Sequence, residues 1–270
     1  MSAPDPTRLS LNTATVKQQW NLAQAIEGCA RQGIRAISPW RDKLAEMGLK
    51  KAVAAINANG LGVSGLCRGG FFTAKDWLDD NRRAIEEAHV LEADCLVLVV
   101  GGLPRGSKDL GKARDRVKES IAMILPEARA AGVPLAIEPL HPMQAADRAC
   151  VNTLEQALDL CDALGDGVGV AVDAYHTWWD PKLEAQIARA GRRRILGYHI
   201  CDWLVPTRDL LNDRGMMGDG VIDLPRIRSW VEAAGYAGMH EVEIFSALDW
   251  WQRDPDEVLR VCRERFASVT

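Results

Sequence analysis

Glu138, Asp173, His199 and Glu243 are residues of metal-ligating type, and each falls near the end of an apolar run of strand character. The runs are VPLAIEPLHP from Val133, AVDAYH from Ala171, ILGYHICD from Ile195 and MHEVEIF from Met239. A continuous run such as VPLAI reads as a strand buried on both faces, so Glu138 stands where that strand reaches the surface. A carboxylate there is costly unless a cation or hydrogen-bond donors meet it. Three carboxylates and one imidazole form a mostly hard ligand set, suited to Mn²⁺ first, with Mg²⁺, Co²⁺ or Zn²⁺ as alternatives. Converging without a cation, the three negative charges would repel, and one divalent ion resolves this. A single acidic residue at a strand end is ordinarily a helix cap or an ion-pair partner. Four on adjacent strands favour the joint reading.

Other polar residues surround this set. His141 and His176 each follow a carboxylate by three positions, where they could orient a ligand, touch substrate or carry a proton; a capped loop histidine is the bland alternative. Asp202 and Arg208 lie beyond His199, and Arg41 and Arg68 follow the second and third strand-like runs. Arginines there could hold substrate hydroxyls, carbonyls or phosphates, although a surface ion pair is the commoner fate. Trp40, Trp178, Trp179, Trp203, Trp250 and Trp251 all fall in or near loops after strands. They could stack on a sugar ring or aromatic aglycone, or anchor a subunit interface. Both readings stay open. His89 and His240 lack such a context and read as structural.

Strand-period and helix-period segments alternate along the whole chain. LSLNTA begins it, followed by an amphipathic helix over about 16–32 that Gly33 stops. IRAISPW, LGVSGLC and CLVLVVGG are strands two to four, with helices reaching Ala58, spanning about 79–93 and spanning 110–131 after them. The second half continues through helices ending at Leu164, over PKLEAQIARA, over about 224–234 and over DPDEVLRVCRERF. Asp254-Pro255 has the form of a cap and first helical position. Eight such pairs predict an α/β fold, a (β/α)8 TIM barrel forming one domain over residues 1–270, with its site at the C-terminal strand ends. A doubly wound open sheet is the competitor, but the first loop, NTATVKQQW, lacks the Gly-x-Gly-x-x-Gly often used there.

The bulk numbers agree. A hydrophobic content of 47% with 26% charged residues is ample for one large core. A net charge of -4 gives no reason to expect nucleic-acid binding. Seven scattered cysteines without a C-x-x-C pair predict reduced thiols and a cytoplasmic location rather than a disulfide scaffold. No signal peptide or bilayer-spanning run is expected from the start MSAPDPTRLS or from the apolar segments.

IEPL, VDAYH, GYHICD, MGDGVID and EVEIF together resemble the sugar phosphate isomerase/epimerase superfamily of xylose-isomerase-like TIM barrels, over essentially the whole chain. The resemblance implies one divalent metal held by Glu138, Asp173, His199 and Glu243. It also implies proton transfer beside a carbonyl, with Glu138 and Glu243 as acid and base. ISPWRD, SGLCRGGFF, EPLHPMQAADR, YHTWWDP and HICDWLVPTRDLLNDRGMMGDGVID resemble more narrowly the larger subunit of bacterial C-glycoside deglycosidases. That narrower likeness implies a smaller partner subunit, an oligomer, and His141 as a base near the metal.

The leading expectation is therefore a metal-dependent lyase that removes the aglycone from a 3-oxo-glucoside. Proton abstraction beside the ketone places charge where it can expel the neighbouring substituent. Glu138, Glu243 and His141 would be catalytic, with His176, Asp202, Arg208, Arg41, Arg68 and Trp178 on the substrate. The first alternative is isomerisation or epimerisation of a free ketose or related hydroxy-ketone by the same apparatus. A second is a non-catalytic metal-binding subunit. A hydrolytic DNA-repair enzyme would need more histidines and a basic face.

Overall fold

The computed structural model describes residues 3–270. Strand β1 (Leu9–Asn12) ends in a tight 3₁₀ turn over Thr13–Val16, and helix α1 (Leu22–Gln32) starts only after it. The single helix expected from Val16 is thus interrupted. Asn21 and Gln24 form a reciprocal capping box that fixes the new start, and Gly33 ends the helix in the left-handed region at φ +68°. Trp20 precedes the helix and lies on it: a Cβ on Gly28 would come within 2.3 Å of its ring.

Strand β2 (Ala36–Ser38) leads into two helices, α2 (Arg41–Met47) and α3 (Leu49–Ala58), where one was expected; Gly48 at φ +87° divides them. The third stave is also divided, into β3 (Gly62–Val63) and β4 (Leu66–Gly70). Then follow α4 (Trp77–Val90), β5 (Leu96–Val99), α5 (Leu110–Ala130), β6 (Leu135–Ile137), α6 (Leu154–Leu164) and β7 (Val168–Asp173). After a one-turn α7 (Ala174–Thr177) come α8 (Leu183–Arg194) and β8 (Ile195–Ile200). The long segment beyond it holds a small antiparallel pair, β9 (Asp202–Trp203) and β10 (Arg214–Gly215), that the sequence did not suggest. Helix α9 (Leu224–Ala233), β11 (His240–Val242) and α10 (Pro255–Val269) complete the chain.

The parallel sheet runs β3-β2-β1-β11-β8-β7-β6-β5-β4. Its two ends, β3 and β4, are halves of the same stave, one paired to β2 and the other to β5. Cys67 N donates to Pro39 O at 3.1 Å beside a parallel bridge between Trp40 and Cys67, which closes the circle. The architecture is the expected TIM barrel.

Side chains two apart on a strand share a face. Leu96, Leu98, Leu135, Ile137, Val170 and Val172 face the helices and belong to the main core. Burying each such side chain contributes roughly 1.5–3 kcal/mol. Their neighbours of opposite parity, Cys67, Cys95, Val97, Ala136 and Ala171, form a separate cluster of small residues inside the barrel. Glu138 continues the inward parity of Ala136, and Asp173 that of Ala171. Small side chains below therefore leave room for polar ones above. Among the described residues no helix is long and apolar enough to cross a membrane.

Candidate metal centre

Strands β6, β7, β8 and β11 are consecutive around the barrel, and each sends a ligand-type side chain to the same point. One ligand atom from each of Glu138, Asp173, His199 and Glu243 lies within 4.8 Å of the others, and all four residues are buried. His199 Nδ1 lies 2.8 Å from Glu138 Oε1, while its Nε2 faces Glu241 Oε1 at 3.6 Å. Gly197, below His199 on the same face, leaves its Cβ position free 3.5 Å from Nε2.

Glu241 and Glu243 are both held by Asn12, whose Nδ2 donates to Glu241 Oε1 at 2.7 Å and Glu243 Oε1 at 2.9 Å. Ser64 Oγ donates to Glu241 Oε2 at 2.8 Å. From the opposite side Arg214 Nη1 donates to Glu243 Oε2 at 3.0 Å and to Asp173 Oδ2 at 3.2 Å. Its guanidinium lies between the rings of Tyr175 and Phe245, at 4.4 and 4.9 Å, and is almost fully buried. Arg214 Nη2 comes within 3.1 Å of His176 Nε2, and His176 Nδ1 accepts from the His141 backbone N–H at 3.1 Å.

Four buried carboxylates thus surround one arginine and one imidazole, and the electrostatics records the shortage of positive charge. Burial, opposed by Arg214 but reinforced by Glu138 and Glu243, pushes the Asp173 carboxyl up to about 7. Burial works against the charged His199 ring, yet the Glu241 charge, the hydrogen bond that the ring donates to Glu138, and the charges of Glu138 and Glu243 outweigh it and raise its pKa well above the usual value. His176 moves the opposite way, well below it, through burial and the nearby Arg214 charge. A divalent cation is the chemistry this donor set lacks, so Glu138, Asp173, His199 and Glu243 fit one. His199 Nδ1 would face it, with Glu241 orienting the ring from Nε2.

The structure keeps several expected residues away from this centre. Arg41 is held by Glu87 and by Asp80 at 2.9 Å, and Arg208 by Asp213. Asp202 accepts from the backbone N–H groups of Trp203, Gly218 and Ile222 and pins the long segment. Each of the three has a local partner, and none is among the four residues that converge on the centre. Trp178 leans on Trp203, with ring centroids 5.9 Å apart, outside the cavity wall. His141 stacks on Trp203 at 4.8 Å and caps the turn Pro142–Gln144, touching the centre only through His176. Arg68 stacks on Phe71. Arg214, Asn12 and Glu241 are in the centre but were given no role. Asn12 obeys the same rule as the ligands, a polar residue ending a strand. Arg214 lies in a segment without periodicity and carried no such signal.

All seven cysteines are free and buried. Burial first, then the surrounding carboxylates, hold the Cys67 and Cys95 thiols well above their ordinary range, which makes them poor nucleophiles.

Residues 24–263 match the family model described as xylose isomerase-like TIM barrel. The chain belongs to that family. Its curated relatives include the inosose isomerase of Bacillus velezensis, 27% identical, with the match covering 97% of this chain and 96% of the relative. A crystal structure of a protein from Sinorhizobium meliloti 1021 superposes with a TM-score of 0.96 at 61% identity, covering 98% and 99% of the two chains. A crystal structure of IolI protein with a bound zinc atom shares the fold, with a TM-score of 0.80 at 24% identity over 97% of each chain. This member of the family is an enzyme, and its buried donor set fits a divalent ion.

Proposed function

We propose that the chain is a divalent-metal-dependent isomerase that moves a proton beside the ketone of a polyhydroxylated ring of the inosose class. The observation that carries the reading is the convergence of Glu138, Asp173, His199 and Glu243 within 4.8 Å at the mouth of the barrel. Similarity to an inosose isomerase along nearly the whole chain supports the substrate class.

The mostly oxygen donor set favours Mn²⁺, and such an ion supplies Lewis-acid polarisation of a carbonyl. The protein supplies the proton carriers and the orientation. Glu243 receives hydrogen bonds at both carboxylate oxygens, from Asn12 and Arg214, which holds it in place. Glu138 is held only through Oε1, by His199, so its second oxygen is the freer to take a proton and return it. Arg214 presents its guanidinium from the opposite wall, beside His176, where a substrate hydroxyl or carbonyl oxygen can accept. The cavity beside these groups is about 20 Å³ and is walled by Glu138, His176, Arg214, Glu243, Arg148 and Leu211.

Elimination of an aglycone from a 3-oxo-glucoside begins with the same proton transfer and is the second reading. Its support is the aromatic wall beside His141, where Trp203 stacks on Tyr175 at 4.7 Å and Trp179 meets His141 at 5.8 Å. The smaller partner subunit belongs to that reading. Incubating the Mn²⁺-loaded chain in D₂O with an inosose, and separately with a 3-oxo-glucoside, tests both. Deuterium beside the ketone without cleavage supports isomerisation, and release of aglycone supports elimination. Neither product would refute the proposal.

A further inference from the structure

Most arginines around the barrel mouth have an acidic partner: Arg41 has Asp80 and Glu87, Arg208 has Asp213, and Arg214 has Asp173 and Glu243. Arg68 and Arg148 have none. Among the described residues neither guanidinium forms a hydrogen bond, and the Nε of each is buried without a partner. Both side chains are half-buried, so water replaces a counter-ion only in part.

The two flank one ring. Arg68 Cζ lies 3.7 Å from the centroid of Phe71 and Arg148 Cζ 6.0 Å from it. Stacking stabilises a guanidinium through its face and leaves its N–H edge bare. Phe71 itself adopts φ +47°, a costly conformation for a non-glycine residue, next to Gly70 at φ +93°. Buried Asn81 clamps this segment, accepting from Gly70 N at 2.7 Å and donating to Gly70 O at 2.8 Å. The backbone that carries Phe71 is therefore held in place between the two arginines.

Its position is also specific. Arg148 walls the cavity that holds Glu138 and Glu243, and Arg68 walls an adjoining cavity of about 230 Å³. Trp40 and Cys67 are common to both. Burial is the main cause that lowers the pKa of each, helped by the Arg148 charge at Arg68 and by the Arg214 charge at Arg148. Lys17, the third cation nearby, is accounted for, since its ammonium sits over Trp40, Phe245 and Trp251 at 4.8–5.3 Å.

We propose that Arg68 and Arg148 form an oxyanion-binding subsite beside the metal centre, which takes a carboxylate or phosphate group carried by the substrate. The inference rests on the isomerase reading for the rest of the molecule it binds, and adds a carboxylate or phosphate substituent to the polyhydroxy ketone of that reading. Planar N–H edges without carboxylate partners match either oxyanion in bidentate fashion.

Calorimetric titration of the Mn²⁺-loaded chain with glycerol 3-phosphate, glycerate and glycerol separates the sources, because the three share one carbon skeleton. One anion is expected to bind about tenfold or more tightly than glycerol. Tighter glycerol 3-phosphate identifies a phosphate subsite and tighter glycerate a carboxylate subsite. Arg68→Gln and Arg148→Gln should each weaken the anion about tenfold with metal content unchanged. Arg68→Lys and Arg148→Lys, which keep the charge, should lose less, and they keep the test open if a Gln variant does not fold. Repeating the titration on metal-free chain distinguishes the two claims, since anion binding should persist there even if no isomerase activity exists. Equal binding of anions and glycerol, or anion affinity unchanged in both Gln variants, would overturn the subsite.

Discussion

His199 Nε2 faces Glu241 Oε1 at 3.6 Å, on the side of the ring opposite the Glu138 contact. Glu241 is in turn fixed by Asn12 and Ser64, so a chain of three polar residues decides which way the imidazole points. Replacing Glu241 by Gln should lower divalent-metal affinity about 10- to 100-fold, the usual cost of losing a group that orients a ligand. A chelator competition on the folded variant reads this directly.

On the proposed reading Arg214 serves the substrate rather than the ion. Its charge already neutralises part of Asp173 and Glu243. Arg214→Gln should retain its metal and lose about 10- to 100-fold in kcat/KM, the scale of a charge-assisted hydrogen bond. Steady-state kinetics with metal analysis on the same sample checks both halves.

How much of this was legible in the sequence follows from periodicity. Glu138, Asp173, His199 and Glu243 could be read because each ends an apolar run, and runs of that kind become staves. The same alternation set the order of strands and helices. The break after β1 hides in ordinary-looking residues, since only the Asn21–Gln24 capping box moves the helix start. Divided α2 and α3 depend on one backbone angle at Gly48. The 204–223 segment has no repeating pattern, so nothing separated Arg208, tied to its own loop, from Arg214, which reaches the centre. Asp202 shows the same limit: its three backbone donors come from a fold of the segment that no spacing reveals.

His240 opens β11 and faces the helix layer against Tyr198 and Phe266, with no hydrogen bond to either ring nitrogen among the described residues and Glu232 at 3.9 Å. Burial, followed by the charges of Arg8 and Arg228, pulls its pKa down to about 3. Because the unfolded ring protonates near 6.5, the unfolded state binds the extra proton as pH falls, and its stabilising effect is lost between about 6.5 and 3. His240→Phe should flatten the stability profile in that window by up to about 1.4 kcal/mol per pH unit. Urea titrations at a series of pH values measure it.

The 20 Å³ cavity beside the centre has room for about one water, whereas ligand pockets run to roughly 300 Å³ or more. The covering segment is tied down at Leu210 O by Tyr175 Oη at 3.3 Å and Gln144 Nε2 at 3.4 Å. We expect this segment to open for substrate entry. Amides over 204–212 should exchange faster in Gln144→Ala than in the native chain, and more slowly in both once an inosose is bound. Hydrogen-exchange mass spectrometry reports each change.

The central claim is that side chains from four consecutive staves hold one divalent ion. Metal analysis of the purified chain beside His199→Gln and Glu243→Gln tests it most directly, with circular dichroism as the control for folding. The account predicts one Mn²⁺-type ion per native chain and loss of most of it from either folded variant. A native chain that binds no divalent ion, or variants that keep a full equivalent, would contradict it.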